Sequence, residues 1–97
     1  MSAYILLCNF TDQGVRNVKD APNRRAAARE LGKRLGVEIK AGFLALGTYD
    51  LILETEAASD EAMATFVLSL ASKGNLRTTT VKVFPEVEYD KVIAALA

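Results

Sequence analysis

An α+β fold is predicted, with four strands and two main helices in the order β-α-β-β-α-β and a short helix after them. Three observations predict it. The chain opens on an apolar run, Ala3-Tyr4-Ile5-Leu6-Leu7-Cys8-Asn9-Phe10. The segment Leu46-Gly47-Thr48-Tyr49-Asp50-Leu51 reads as a tight turn between two further apolar runs. Two stretches with apolar residues at helical spacing, stopping at Gly36 and Gly74, separate the strands.

Residues 3–10 are apolar up to Asn9, a pattern that suits a central strand covered on both faces. Thr11-Asp12-Gln13-Gly14 ends it, and Thr11 or Asp12 can cap a helix. Val15 and Val18 share one helical face, but Pro22 interrupts the pattern. A short helical turn is therefore predicted, then a break near Asp20-Ala21-Pro22, then a longer helix to Leu35. Asp20 is its cap, with Pro22 in the first turn. Ala27, Leu31 and Leu35 form the apolar stripe of that helix. Arg24, Arg25, Arg29, Lys33 and Arg34 cover the rest, Glu30 is spaced to pair with Arg34, and Gly36 ends it.

The second strand is predicted over residues 37–46. There Val37, Ile39, Ala41, Phe43 and Ala45 alternate with Glu38, Lys40, Gly42, Leu44 and Leu46. After the turn at Gly47-Thr48, the third strand runs from Tyr49 to Glu56, with Leu51 and Leu53 on one face and Asp50, Ile52 and Glu54 on the other. Ser59 caps the second main helix, with Asp60 and Glu61 in the first turn where the helix dipole favours acids. Met63, Phe66, Val67 and Leu70 follow the helical rule, and Gly74 is the stop. A fourth strand is predicted from Leu76 to Phe84, rich in threonine and valine, and Pro85 ends it. In the tail, Tyr89, Val92, Ile93 and Leu96 stand at helical spacing and predict a short docking helix.

This order is the ferredoxin-like arrangement. Right-handed crossovers give an antiparallel sheet in the order 4-1-3-2 with both main helices on one face. The other face is expected to carry Lys40, Leu44, Leu46, Ile52, Thr78, Thr80 and one register of the first strand. Such a face left in water marks an interface. A second copy packed face to face, giving a dimeric α/β barrel with the C-terminal helix adding to the contact, is the simplest solution. Phe10, Asp12, Leu46, Tyr49, Asp50, Arg77 and Thr78 are expected to gather at one end of the sheet.

The 97 residues form one domain, 1–97. Twelve basic and twelve acidic residues cancel, which leaves no basic excess for nucleic acid. No apolar run approaches the roughly 18–20 residues needed to span a membrane, and no signal peptide is read at the N-terminus. Cys8 reads as a buried thiol in a reducing compartment, so a cytoplasmic location is expected. The chain has no histidine, the commonest metal ligand and general base. No cofactor or metal is expected.

The candidate ligand-binding residues are Tyr49, Asp50, Arg77, Lys40 and Thr78. Asp50 reads as a general base or a substrate-orienting carboxylate, or as a turn acid paired with Arg77 or Lys40. Tyr49 reads as an acid or hydrogen-bond donor, or as packing at a sheet edge. Arg77 suits a ligand carboxylate, or an ion pair with Asp12 or Asp50. Thr78 reads as a strand residue or as a pocket hydroxyl. Gly47 is a backbone device for positive φ.

Three segments carry a resemblance. They are Asn9-Phe10-Thr11-Asp12-Gln13-Gly14-Val15-Arg16-Asn17-Val18-Lys19-Asp20, Gly47-Thr48-Tyr49-Asp50 and Gly74-Asn75-Leu76-Arg77-Thr78-Thr79-Thr80. On these the chain resembles the GYD domain family, small bacterial and archaeal proteins of the dimeric α/β-barrel group, over nearly all its length. The resemblance implies the ferredoxin-like fold and dimers, and implies no activity. Three functions follow as expectations. The first is a dimeric module that binds a small molecule or a protein partner in regulation or assembly. The second is a cofactor-free enzyme of the monooxygenase or isomerase type, with a pocket near the Gly47–Asp50 turn. The third is a structural homo-oligomer.

Overall fold

A computed structural model describes residues 1–97. Strand β1 (Ser2–Phe10) leads into helix α1 (Asp12–Arg16) and a 3-10 turn (Val18–Asp20). Helix α2 (Ala21–Leu35), strands β2 (Val37–Leu44) and β3 (Leu51–Ala57), helix α3 (Asp60–Ser72), strand β4 (Leu76–Val83) and helix α4 (Glu86–Ala94) follow. The sheet order is β2-β3-β1-β4, which counted from the other edge is 4-1-3-2. All neighbouring strands are antiparallel.

Local chemistry explains the boundaries. The Thr11 side chain caps α1 by accepting from the Gly14 N–H, and Ser59 caps α3 by accepting from Ala62. Gly36 closes α2 at φ 81°, a conformation that suits glycine. Asp20 precedes α2 but makes no side-chain cap; its carboxylate accepts from Asn23 instead. Glu30 pairs with Lys33 at 3.4 Å rather than with Arg34.

Alternation on β1 sets the core. Tyr4, Leu6 and Cys8 are buried on the helix side, with Val37, Ala57, Met63, Phe66 and Leu70 around them. Ala28, Leu31 and Leu35 of α2 pack against this cluster, so α2 and α3 share one face of the sheet. Thr55, the buried polar residue here, donates its hydroxyl to the Tyr4 carbonyl at 2.8 Å. The odd residues of β1 are only half-buried, so the expectation of a strand covered on both faces fails for the single chain.

Three expectations about faces are corrected by register. In β2 the pairing slips between Ile39 and Ala41, and Lys40 is the extra residue of a β-bulge. Beyond it every side chain changes face. Leu44, paired with Leu51, therefore lies on the helix side, and Phe43, paired with Ile52, lies on the open side. Thr78 and Thr80 pair with Cys8 and Leu6 and so also lie on the helix side; Arg77, Thr79 and Val81 take the open face. β2 and β3 are joined by residues 45–50 rather than by a two-residue turn, and Leu46 stands fully exposed in that loop.

At the other end of the sheet, Tyr4 donates its hydroxyl to Asp60, which also pairs with Lys82 at 3.3 Å. The hydrogen bond from Tyr4, followed by that from Lys82, holds the Asp60 carboxyl below its ordinary value. The bond to Asp60 and burial push the Tyr4 hydroxyl up.

Three outcomes are expected from this packing and these contacts. A Cβ at position 14 would lie 2.1 Å from the Asn75 carbonyl oxygen. Helix propensity alone would make Gly14→Ala more stable by about 1 kcal/mol, but the clash wins. A loss of about 2 kcal/mol is expected in urea unfolding. For Asp60, the folded value lies below the unfolded one, so its stabilisation is present above about pH 4 and is lost as pH falls further. The stability gap between wild type and Asp60→Asn should close on acidification. Tyr4 acts in the opposite sense, and its contribution is lost as pH rises past about 10.

Candidate functional site

The C-terminal end of β1 is where the polar side chains converge. The chain leaves β1 at Phe10, and the 45–50 loop lies against it. The Asp50 N–H donates to the Cys8 carbonyl at 2.9 Å, and the Phe10 N–H donates to the Asp50 carboxylate at 2.9 Å. Asn9 donates its side-chain amide to the Thr48 carbonyl at 2.8 Å, while Ala45 N–H donates to the Asp50 carbonyl at 2.8 Å. Asp50 thus extends the β1–β3 ladder by one step and closes the loop. Gly47 takes φ 139° in that loop.

On the other side of β1, Thr11 N–H donates to the Asn75 carbonyl at 3.1 Å and its hydroxyl donates to the Gly74 carbonyl at 2.5 Å. The Gln13 amide donates to the Lys73 carbonyl and the Asn75 side chain, both at 3.0 Å. The Arg24 guanidinium donates to the carbonyls of Asn17 and Gly14, at 2.8 and 3.1 Å, and ties the start of α2 to the end of α1. This junction was not legible beforehand, because most of its acceptors are backbone carbonyls.

The five candidate residues divide between positions. Tyr49 and Asp50 are half-buried in the loop beside β1. Arg77 is exposed and lies opposite Asn9 on the open face at the same end. It makes no salt bridge; the ion pairs present are Lys33–Glu30, Lys40–Glu56 and Lys82–Asp60. The structural partner of Asp50 is therefore the Phe10 amide, not Arg77 or Lys40. Thr78 lies across the sheet on the helix side next to Cys8. Lys40, in the bulge, pairs with Glu56 at 3.5 Å and stands away from the Asp50 end. Burial pushes the Cys8 thiol up to about 11, which keeps it protonated at neutral pH. No group of three or more His, Cys, Asp or Glu residues is placed to hold a metal, and no helix is long and apolar enough to cross a membrane.

A concavity of about 650 Å³ is a groove between α2, the end of α3 and the sheet. None of the five candidates lines it. Sequence reading missed it because a groove here arises from what is small, Ala27, Ala28 and Gly42, rather than from any chemical motif.

The clamp at Asp50 has a measurable strength. Asp50→Ala leaves the Phe10 amide without its acceptor and should cost about 2 kcal/mol in denaturant unfolding. Asp50→Asn keeps a carbonyl acceptor and should cost less than half as much.

Comparison with known proteins gives the family. The model of the GYD domain matches residues 4–93. A protein of Thermus thermophilus, described as a glutamine synthetase and cystathionine beta-lyase binding protein, is 33% identical over 86 residues, covering 88% of this chain and 90% of its own. The three segments that carry the resemblance meet in space around the end of β1, and with a match of this extent the chain belongs to the GYD domain family.

Proposed function

We propose that this chain is a self-associating protein-binding module that acts in the cytoplasm on metabolic enzymes, in regulation or assembly. The observation that carries the reading is the amount of surface left uncovered, with large apolar side chains in it. A monomeric globular protein of 10.5 kDa exposes about 5,400 Å², whereas this chain exposes 6503 Å². The excess is comparable to the ~800 Å² that each partner buries in a standard interface. Ile5, Leu7, Ile52, Phe43 and Val81 share the open face of the sheet by register, and Phe43 is 56% exposed. A second copy packed against that face, as in a dimeric α/β barrel, covers it.

The partner class comes from the Thermus relative, whose description names two enzymes that it binds. Tyr49 and Arg77 stand at one end of the sheet, with Arg77 on the open face and without a carboxylate partner. We assign them to the polar rim of a partner contact, where arginine and tyrosine are favoured. Thr78 and Lys40, on opposite faces, are assigned supporting positions rather than direct contacts.

Two outcomes are expected. Mixed with the glutamine synthetase and the cystathionine beta-lyase of its own host, the protein should bind at least one saturably, and Arg77→Gln should weaken binding by about tenfold without changing the unfolding midpoint. No binding to either enzyme at tens of micromolar would overturn the partner assignment. For self-association, Ile52→Asp places a carboxylate in the middle of the open face, and the dimer should weaken by at least about 100-fold in sedimentation. A dimer of unchanged strength would overturn the face-to-face packing.

A further inference from the structure

Helix α4 begins three residues after β4 ends and buries none of its residues. Tyr89, Val92 and Ile93 lie at i, i+3 and i+4 and form one apolar stripe on α4, and Leu96, two residues past its end, continues the spacing. All four are about half exposed or more. On a helical projection of 100° per residue, Glu88 borders the stripe on one side and Glu86 and Asp90 border it on the other. Lys91 falls on the back. A helix of this pattern, apolar with acidic margins, is a ligand for an apolar groove with basic margins.

The chain contains such a groove. Twelve of the nineteen residues that line it are hydrophobic. Its charged residues are Arg24, Arg25, Arg29 and Lys73, with no carboxylate among them, although acids and bases balance over the whole chain. Arg24 is engaged with backbone carbonyls, which leaves Arg25, Arg29 and Lys73 free of salt bridges at the margin. The floor, with Leu44, Leu51 and Leu53, is apolar because the bulge at Lys40 turns Leu44 to this side.

The helix of the same copy does not reach this groove. α4 starts next to the end of β4 that pairs with Ala3, whereas the groove opens at the sheet end marked by Phe10, Leu44 and Leu76. The two ends are roughly 23 Å apart along the strand, α3 stands over the sheet between them, and the connector is only Phe84-Pro85.

We infer that the groove between α2 and the sheet receives helix α4 of a second copy of this chain. The inference deepens the self-association reading by naming a second contact, on the opposite face of the sheet from the first. Apolar burial supplies the attraction, and the acidic margins of α4 facing Arg25, Arg29 and Lys73 set orientation.

The test uses two full-length variants, Ala27→Cys in the groove and Ile93→Cys on α4, mixed and treated with a short bismaleimide at neutral pH. Buried Cys8 stays out of the reaction. A 27–93 bond between copies is expected, in clear excess over the bond from Ile93→Cys to Leu68→Cys, an exposed position on α3 outside the groove. Adding Arg25→Glu and Arg29→Glu to the groove-bearing chain should cut the yield about tenfold. Adding Glu86→Lys and Asp90→Lys to its partner should restore it. A yield no higher than the Leu68→Cys control, or one that charge reversal does not move, overturns the inference. So does recovery of a different protein or a small amphipathic anion in the groove of the freshly purified chain. The sheet-face contact is read separately from Ile52→Asp, so a missing 27–93 bond beside a normal dimer overturns this inference alone.

Discussion

The end of β1 is held by hydrogen bonds from two segments far away in sequence, and most of the architecture depends on that clamp. On one side, Asp50 receives the Phe10 amide and donates to Cys8. On the other, Thr11 and Gln13 are joined to the turn at Lys73–Asn75. Gly14 has no Cβ because α1 lies directly on the Asn75 carbonyl. These contacts fix where β3 and β4 begin, and with them the register of both neighbours of β1. Register decides which side chains form the core and which are left outside, since a slip of one residue would exchange the two faces.

The consequence is a chain that cannot cover itself. The helix side of β1 carries Tyr4, Leu6 and Cys8 and is sealed by α2 and α3. The other side carries Ile5 and Leu7 beside Ile52 and Val81, with no element over it. Only eleven of the 97 residues are buried, a small core for a domain of this length. The proposed protein-binding role draws on this surface and on Arg77, which has no carboxylate partner, whereas Asp50 at the same end is engaged in holding the loop.

Much of this was legible in the sequence where the signal is local. Thr11 and Ser59 before helical spacing, Pro22 at the start of α2, Gly36 at its end and the stripe Tyr89-Val92-Ile93-Leu96 each act within a turn or two of the chain. What escaped was non-local or ambiguous. In β2 both registers carry large apolar residues, Phe43 in one and Leu44 in the other, so alternation could not reveal a bulge at Lys40. In β4, Thr78, Thr79 and Thr80 have no hydrophobic alternation to read. The partner of Asp50 is a backbone amide, which side-chain pairing cannot suggest. Tyr4 and Asp60 meet only after 56 positions of chain have been folded back.

Mass in solution tests the uncovered face most directly. Sedimentation equilibrium of the wild-type chain, from about one to one hundred micromolar, should give a species of at least two copies over most of that range. A mass of one chain at every concentration would contradict the reading of the open face as an interface between copies.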